Sequence, residues 1–363
     1  MKYNKNPVQK ILFILPYPVG KAASQRFRFE QYLGFLSQSF QIDHQSFWSD
    51  RAWEILYHRG KTLKKFIYLF SGYFRRFALL TKIHQYHAVF IHREAAPLGP
   101  PVFEWIISRI FKKKLIFDFD DAIWLPNTTK ENKMASWLKW HQKTARICKL
   151  SHRVAVGNDW LADYARRYNA NVVVIPTTID TQNQHNRTKH HKTESLPVIG
   201  WTGTHSTSKY LLDLLPVLEE LYEQIPFKLL VICNKPLEVH LPFIENLMWN
   251  KDQEIEQLQS IDIGIMPLRD TVWEQGKCGF KALQYMALGL PAVVSHVGVN
   301  SSIIQHAYDG YLCQSNDDWI RFLAELMQDD LLRNKIGQQA RKKVTDQYSV
   351  IAWRETFLDL FTL

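Results

Sequence analysis

Residues 261–295, IDIGIMPLRDTVWEQGKCGFKALQYMALGLPAVVS, hold two short apolar runs separated by a polar loop and an amphipathic segment. The runs at 261–268 and 291–295 predict buried strands. The segment between them predicts a helix that starts near Lys277 and ends at Gly289. Two strands joined by a helix make the crossover unit of a parallel sheet. The stretch therefore predicts an α/β fold for this part of the chain.

The same alternation of apolar runs and helical segments extends away from this stretch. The other predicted strands are ILFIL (11–15), AVFIH (88–92), KLIFDFDD (114–121), RVAVGN (153–158), NVVVIP (171–176), PVIGWTG (197–203), FKLLVIC (227–233) and YLC (311–313). Alternation of this kind favours parallel, doubly wound sheets. The length of 363 residues fits two domains. We therefore predict an α/β protein with two Rossmann-like, doubly wound domains.

One polar stretch, TQNQHNRTKHHKTES (181–195), separates the two sets of strands and is the best linker candidate. We predict an N-terminal domain of residues 1–180 and a C-terminal domain of residues 196–346. We expect a final helix at about 347–363 to pack back on the first domain. Because open α/β sheets bind ligands at the carboxyl ends of their strands, we expect the domains to face each other across a cleft.

The cysteines and the N-terminus indicate the compartment. Four cysteines are far apart and form no CxxC pair, which argues against a disulfide scaffold or a zinc site and fits a reducing cytosol. The first apolar run has only five residues and is followed by a proline, so we do not expect a signal peptide. No uncharged run approaches the ~20 residues of a spanning helix. We therefore expect a cytoplasmic protein.

The net charge of +10 is unevenly distributed along the chain. Residues 1–180 contain 28 Lys+Arg and 13 Asp+Glu, a net +15, whereas residues 181–363 contain 17 and 22, a net −5. A basic N-terminal half is typical of proteins that meet nucleic acid, an anionic membrane or an acidic substrate. No nucleic-acid-binding motif occurs in the sequence, so we expect no nucleic-acid partner.

Residues 53–82, WEILYHRGKTLKKFIYLFSGYFRRFALLTK, mix aromatic side chains with basic ones. This composition is typical of a helix that lies on an anionic membrane, although a core-packed amphipathic helix with a solvated basic side is the usual alternative. We expect peripheral binding to the inner face of the cell membrane. The cations expected to bind it are Lys61, Lys64, Lys65, Arg75 and Arg76. Such binding weakens as salt rises.

Lys277 and Lys281 lie four residues apart where the predicted helix starts. Free amides at a helix N-terminus attract anions and repel cations, so two lysines there favour a bound anion such as a diphosphate. Two ordinary solvated lysines are the alternative. A second stretch, GWTGTHSTSKYL (200–211), runs from a strand into a loop of small residues. Gly203, Thr204 and Lys209 give it the composition of a phosphate-binding loop, although an ordinary helix cap explains the stretch better when it is taken alone.

These stretches, together with IDIGIMPLRD and DGYLC, occur in an order that resembles the C-terminal domain of GT-B glycosyltransferases, group 1 or family 4. The N-terminal stretches ILFILPYPVGKAASQRFRFEQYL, FDFDDAIW and VVVIPTTIDT resemble the same group. The resemblance implies two Rossmann-like domains, an acceptor-facing one and a nucleotide-sugar-binding one. It implies transfer of a sugar from a nucleotide diphosphate with retention and without an essential metal or other cofactor. Lysines and helix amides would then neutralise the leaving diphosphate.

The sequence departs from the resembled family at two positions. Many members carry a pair of glutamates around this helix, and the alignment places Gly276 and Gln284 there. In many relatives the second glutamate contacts the ribose and the first the donor sugar. Gln284 retains hydrogen-bonding groups for a ribose hydroxyl, without the charge that strengthens such a bond. Glu274, two residues before Gly276, is the candidate for the sugar contact.

Three acids follow the strand in FDFDD, namely Asp118, Asp120 and Asp121. A metal site is one interpretation, but the cluster lacks the further ligands that a hard cation needs, so we predict no metal. A carboxylate of Asp120 or Asp121 would orient or deprotonate an acceptor hydroxyl. A loop-capping acid is the equal alternative for each. His92 ends the strand AVFIH, where the resemblance implies a polar group near the donor sugar, and a buried structural histidine is the alternative.

The loop YPVGKAAS after the first strand contains Gly20, and Arg26 follows it. This loop is a candidate for contact with the donor phosphates or the acceptor. Arg26 as a plain surface charge is the alternative.

We predict a glycosyltransferase that moves a sugar from a UDP- or GDP-sugar to a glycan or lipid-linked acceptor in cell-surface polysaccharide synthesis. Two alternatives stay open at this point. One is a non-catalytic partner that binds nucleotide sugar, because the glutamate pair is absent. The other is a nucleotide-sugar epimerase on the same fold.

Overall fold

The computed structural model describes residues 8–56, 60–126, 139–190 and 196–362. The chain divides into two compact units, Met1–Pro176 with Arg354–Leu363, and Thr177–Trp353. We call these unit 1 and unit 2. The predicted domain boundaries at 180 and 346 fall a few residues from these divisions.

Unit 1 is built on a parallel sheet of six strands. In chain order they are β1 Lys10–Leu15, β2 Gln41–Ser46, β3 Ala88–His92, β4 Lys114–Phe119, β5 Arg153–Val156 and β6 Val172–Val174. Their order across the sheet is β2-β1-β3-β4-β5-β6. The helices are Ala23–Arg28, Leu33–Leu36, Asp50–Leu56, Thr62–Leu80, Val102–Trp105 continuing as a π-helix over Ile106–Ile110, Lys143–Leu150 and Asp159–Arg166. Short 3₁₀ turns occupy Glu30–Tyr32 and Ile83–Gln85.

Unit 2 repeats this architecture with a second parallel sheet. Its strands are β7 Val198–Gly203, β8 Lys228–Cys233, β9 Ile244–Met248, β10 Ile263–Met266, β11 Ala292–Ser295 and β12 Tyr311–Cys313, in the order β12-β11-β10-β7-β8-β9. The helices are Ser208–Gln224, Glu254–Gln259, Val272–Gln275, Phe280–Ala287, Asn300–Ile303, Asn316–Gln328 and Asp330–Gln347. Short 3₁₀ turns occupy His205–Thr207 and Lys251–Gln253, and a last helix, Val350–Asp359, leads from unit 2 into unit 1. The predicted fold class of two doubly wound sheets is confirmed.

The central strands are apolar throughout because helices cover both faces of each sheet. Residues of β3 are all buried, and so are Ile11 to Leu15 of β1. Two strands escaped the sequence prediction, β2 and β9. Each is the last strand at one edge of its sheet and is half-exposed or exposed along its length. Edge strands such as QIDHQS carry few apolar residues, so they lack the signal on which the prediction relied.

Each sheet has one point where the order of its strands reverses. In unit 2 the chain runs outward from β7 to β9 on one side and from β10 to β12 on the other, so the reversal lies between β7 and β10. In unit 1 it lies between β1 and β3. Loops that follow the two strands at such a point diverge and leave a crevice for ligands.

The first part of the predicted linker is bonded to unit 2. The guanidinium of Arg341 donates to the carbonyl oxygen of His185 at 2.6 Å and to that of Thr181 at 3.0 Å. Nζ of Lys189 lies 2.7 Å from a carboxylate oxygen of Asp262. Residues 181–190 therefore belong to unit 2, and the remaining residues of the predicted linker, 191–195, lie outside the described residues.

Among the described residues, no helix is both long enough and apolar enough to cross a membrane.

Candidate functional site

The predicted donor-binding residues all follow the two strands at the switch point of unit 2. They are Gly203, Thr204 and Lys209 after β7, and Glu274, Lys277, Lys281 and Gln284 after β10. Because parallel strands end at the same edge of a sheet, both loops begin at the carboxyl edge.

Trp201 on β7 contacts two of these residues, Lys281 and Gly203. It is 1% exposed, and Nζ of Lys281 lies 5.6 Å from the centroid of its ring. A Cβ atom on Gly203 would lie 2.4 Å from the same ring, so only glycine fits beside the indole. Gly203 therefore has a packing role, and its predicted close approach to a phosphate stays a prediction.

The loop after Gly203 is held by its own side chains. The N–H of Thr204 donates to Oγ1 of Thr207 at 3.2 Å, and the N–H of His205 donates to Oδ1 of Asn234 at 2.8 Å. Oγ1 of Thr204 lies 2.8 Å from Oγ of Ser206. The first two amides of this predicted phosphate loop are thus engaged within the protein.

Lys277 and Lys281 do not share a helix, which corrects the prediction of one helix starting near Lys277. A short helix, Val272–Gln275, comes first, and the next begins only at Phe280. Between them Gly279 has a φ of 64°, in the left-handed region that glycine adopts without strain. The sequence pattern missed this break because the apolar rhythm continues through it.

Each of the three lysines lies over an aromatic ring. Besides Lys281, Nζ of Lys209 is 4.8 Å from the ring centroid of Tyr210, and Nζ of Lys277 is 5.4 Å from that of Trp273. A cation is attracted to the face of an aromatic ring. These contacts position three ammonium groups in the segments that follow β7 and β10.

Glu274 is buried and bonded by two hydroxyl groups. Tyr210 donates to one carboxylate oxygen and Thr271 to the other. Glu274 is 3% exposed. The contact with Tyr210 ties the loop after β10 to the helix after β7, so the carboxylate has a structural role whether or not it also contacts a sugar.

Gln284 is 2% exposed, and within the described part of the chain its Nε2 has no hydrogen-bond partner. A buried donor left unpaired costs about 1–3 kcal/mol. Such a group in a folded protein calls for an explanation, and a ligand or ordered water is the usual one. This observation marks Gln284 as a group that the unliganded protein leaves unsatisfied.

In unit 1, His92 pairs with Asp118 rather than with the two predicted acids. The residues are register partners on β3 and β4, and Nδ1 of His92 lies 2.7 Å from Oδ2 of Asp118. Arg28 donates to Oδ1 of Asp118 at 2.5 Å and to the carbonyl oxygen of Ile175. Burial raises the pKa of Asp118, but Arg28 and His92 outweigh it, so this pKa lies below its ordinary value.

The ionised carboxylate fixes the tautomer of His92. Because a carboxylate only accepts, Nδ1 of His92 carries the proton and donates it. Among the described residues, Nε2 of His92 has no hydrogen-bond partner. His92 is 0% exposed, which fits the buried structural histidine that the sequence left as an alternative.

Asp120 and Asp121 are both bound by Arg93. Nε of Arg93 donates to Asp120 at 2.8 Å, and Nη2 donates to Asp121 at 2.9 Å. Burial lowers the pKa of Arg93, but the two carboxylates raise it by more, so the pKa lies above its ordinary value. The catalytic role predicted for Asp120 and Asp121 stays a prediction. Among the described residues, no group of three or more His, Cys, Asp or Glu side chains is placed to hold a metal ion.

The side chains of Glu30 and Gln25 hydrogen-bond to the backbone of the loop after β1. The N–H of Gly20 donates to Glu30 at 2.8 Å, and Gln25 exchanges two hydrogen bonds with the backbone of Tyr17. Arg26 is 8% exposed and its guanidinium lies 4.9 Å from the ring centroid of Phe27, so it is not the surface charge that was the alternative. Contact of this loop with donor or acceptor stays a prediction.

Sequence reasoning did not predict the contacts of four polar residues that organise these sites. They are Arg28, Glu30, Arg93 and, as the partner of His92, Asp118. Only the last had a usable signal, because strands β3 and β4 end in His92 and FDFDD at matching points.

Comparison with known proteins finds a family match within unit 2. Residues 182–343 match the family model "Glycosyl transferases group 1". The chain is 25% identical over 151 residues to N-acetyl-alpha-D-glucosaminyl L-malate synthase of Bacillus anthracis, covering 39% of this chain and 38% of that protein. It is 24% identical over 106 residues to UDP-Gal:alpha-D-GlcNAc-diphosphoundecaprenol alpha-1,3-galactosyltransferase of Escherichia coli, covering 29% and 26%. The aligned parts thus span well under half of either relative.

Comparison with solved structures covers both units. The structure of Anabaena Alr3699/HepE in complex with UDP and glucose matches with a TM-score of 0.66 and 13% identity, over 98% of this chain and 99% of that one. At this identity the likeness shows the fold alone. Residues 182–343 of this chain thus match the group 1 glycosyl transferase family, and the chain as a whole has the GT-B fold.

Proposed function

We propose that this protein transfers a sugar from a UDP- or GDP-linked donor to a glycan or lipid-linked acceptor in cell-surface polysaccharide synthesis. Donor binding takes place in unit 2, at the carboxyl edge between β7 and β10. The observation that carries the proposal is the placement of Lys209, Lys277 and Lys281 just after the two strands at this switch point, within the segment that matches the family.

The three lysines suit a diphosphate by charge. A nucleoside diphosphate leaving group carries negative charge that must be neutralised as its bond to the sugar breaks. Three ammonium groups and the N-terminus of the helix Phe280–Ala287 supply this without a metal ion. Because the amides of Thr204 and His205 already have partners, we assign the phosphate contacts to the lysines.

In this proposal Gln284 binds the ribose of the donor and Glu274 binds its sugar. The unpaired Nε2 of Gln284 would donate to a hydroxyl of the ribose, which removes the cost of leaving it buried and unsatisfied. Glu274 accepts one hydrogen bond at each oxygen and retains acceptor capacity for a sugar hydroxyl.

The acceptor class rests on the named relatives. The Escherichia coli enzyme acts, by its name, on a sugar linked to diphosphoundecaprenol, and the Bacillus anthracis enzyme, by its name, makes a malate glycoside. The basic N-terminal half, with its net +15 over residues 1–180, suits an acceptor that carries a diphosphate more than an uncharged glycan. We therefore favour a diphosphate-linked lipid acceptor.

A transfer assay tests the proposal. The purified protein is incubated with a panel of UDP- and GDP-sugars and a diphosphate-linked GlcNAc lipid. The mass of the product is then measured by mass spectrometry. We expect a mass gain of one sugar for one donor, in chelator as well as in magnesium. Tight nucleotide binding with neither transfer nor donor hydrolysis would instead support a non-catalytic partner. A changed sugar on the donor without acceptor would support an epimerase.

A further inference from the structure

The helix Thr62–Leu80 presents a row of large apolar side chains to solvent. Their exposed fractions are Leu63 75%, Phe66 54%, Ile67 58%, Phe70 69%, Phe74 75% and Phe77 55%. We call these six residues the aromatic face. Taking about 200 Å² for each phenylalanine side chain, its four phenylalanines alone leave on the order of 500 Å² of apolar surface in water. A typical monomer has no larger apolar patch than this, and such patches are often functional.

The aromatic face is a helical stripe, and the helix packs on the protein by its opposite side. The six residues recur at spacings of three and four, which places them on one side of an α-helix. Gly72, Arg76 and Leu79 are the buried residues of the helix. A Cβ atom on Gly72 would lie 2.6 Å from the ring of Phe47, so the helix backbone lies directly against that ring. The outward direction of the aromatic face follows from this packing.

Arg76 belongs to the interior and not to a membrane-binding surface, which corrects the sequence interpretation. It is 1% exposed and donates to the carbonyl oxygens of Ala95, Gln45 and Leu15 at 2.7 to 2.9 Å. Burial lowers its pKa to about 9. Arg75 is half-buried and donates to the carbonyl oxygen of Phe47 at 2.5 Å. Two of the five predicted membrane cations are therefore engaged elsewhere.

The remaining cations lie at one end of the helix. Lys61 and Lys64 are exposed and Lys65 is partly exposed, all within the first turn or just before it. The helix contains no acidic residue. A helix with an apolar face, cations at one end and no acidic side chain complements the surface of an anionic bilayer, where charged headgroups cover an apolar interior.

We propose that the aromatic face inserts into the interfacial layer of an anionic lipid bilayer, with the helix Thr62–Leu80 lying in the plane of the membrane. A second copy of this chain fits less well, because its helix Thr62–Leu80 offers no acidic side chain to the cations at the end of the face. The proposal does not rest on the transfer reaction, since it concerns a surface of unit 1 and is tested by lipid binding alone.

Insertion differs from purely electrostatic adsorption in its response to salt. Attraction between exposed charges decays over a Debye length of ~8 Å at physiological salt and weakens further as salt rises. Burial of apolar side chains does not depend on that screening. Once bound, the protein should therefore stay on anionic vesicles in high salt, contrary to the salt-sensitive binding that the sequence alone suggested.

The buried native cysteines allow a direct test of insertion. Cys148, Cys233, Cys278 and Cys313 are all buried, so a single exposed cysteine can be labelled selectively in the folded protein. We would attach a polarity-sensitive fluorophore to Phe70→Cys and to a matched control, Leu331→Cys. Leu331 is 77% exposed in unit 2 and lies outside the aromatic face. Vesicles of phosphatidylglycerol and phosphatidylcholine would be compared with phosphatidylcholine alone.

We expect a blue shift and a gain in intensity at position 70 with the anionic vesicles, retained in 0.5 M salt as about half or more of the signal, and no change at 331. Phe70→Ser with Phe74→Ser should lower the vesicle partition coefficient of the unlabelled protein about 10- to 100-fold. Leu331→Ser should leave it unchanged. An unchanged spectrum at 70 with anionic vesicles, or a dimer in sedimentation whose loss follows Phe74→Ser, would overturn the proposal.

Discussion

Replacing Lys281 by alanine tests the diphosphate site most directly. Its ammonium lies 5.6 Å above the ring of Trp201, beside the loop that starts at Gly203, and it is the second residue of its helix. If it contacts the leaving diphosphate, the lost charge-assisted bond is worth about 1.5–3 kcal/mol. At 1.4 kcal/mol per decade, the dissociation constant of UDP or GDP should rise roughly 10- to 150-fold. The bare nucleoside lacks the diphosphate, so its affinity should stay within about twofold.

Calorimetric titration of nucleoside and nucleoside diphosphate measures both quantities. Lys281→Ala also removes a cation–π contact, worth about 0.5–2 kcal/mol, so thermal unfolding must show that the variant is folded at the assay temperature. Lys228→Ala is the matched control, since Lys228 is 46% exposed in unit 2 and pairs with Glu245 at its surface. Equal weakening of both ligands by Lys281→Ala, or none, would remove this lysine from the diphosphate site.

Three further predictions follow from the two sites. Asp118→Asn should destabilise the protein by about 3–5 kcal/mol in thermal or urea unfolding, because it leaves a buried guanidinium without its anion. The pKa of Asp118 is depressed in the folded protein, so its contribution to stability is present above the unfolded pKa of about 4 and is lost as the pH falls below that value. The difference in unfolding free energy between the wild type and Asp118→Asn should therefore shrink below about pH 4. A difference that stays constant down to pH 2 would contradict this. Gly203→Ala should lower the melting temperature and weaken nucleotide binding together, because the new Cβ meets the ring of Trp201 at 2.4 Å; an unaltered melting temperature would show that the ring gives way. Gln284→Leu should weaken binding of the nucleotide while leaving stability unchanged or improved, because it removes an unpaired buried amide; a large loss of stability would mean that the amide already has a partner.

The sequence predicted the central strands and two of the four edge strands, β6 and β12, but missed the other two, β2 and β9. Runs such as ILFIL and AVFIH are buried on both faces, so their apolar character is continuous and easily recognised. The edge strand QIDHQS lacks that character because one side of it has no neighbouring strand. The helix break at Gly279 was missed for a related reason, since one glycine in an apolar rhythm does not reveal its φ.

The sequence allowed candidate site residues to be named but not their hydrogen-bond and ion-pair partners. The lysines after β7 and β10 could be placed at one edge from the order of strands alone. The partners of Arg76 could not, because they are backbone carbonyls of distant segments and leave no mark in the sequence. Charge likewise does not say which acid of FDFDD turns to His92 and which turn to Arg93, since that depends on the side of the strand and on a local turn.

The bonds from Arg341 and Lys189 decide where unit 2 can be cut out of the chain. A fragment that starts at residue 196, as the polar composition of 181–195 would suggest, loses the carbonyl oxygens of Thr181 and His185 that accept from Arg341, and the ammonium of Lys189 that faces Asp262. That aspartate is only 12% exposed, so its charge would be left largely out of water and without its cation. A fragment from Thr177 to Trp353 retains both and is the one to express when the proposed nucleotide site is studied separately from unit 1.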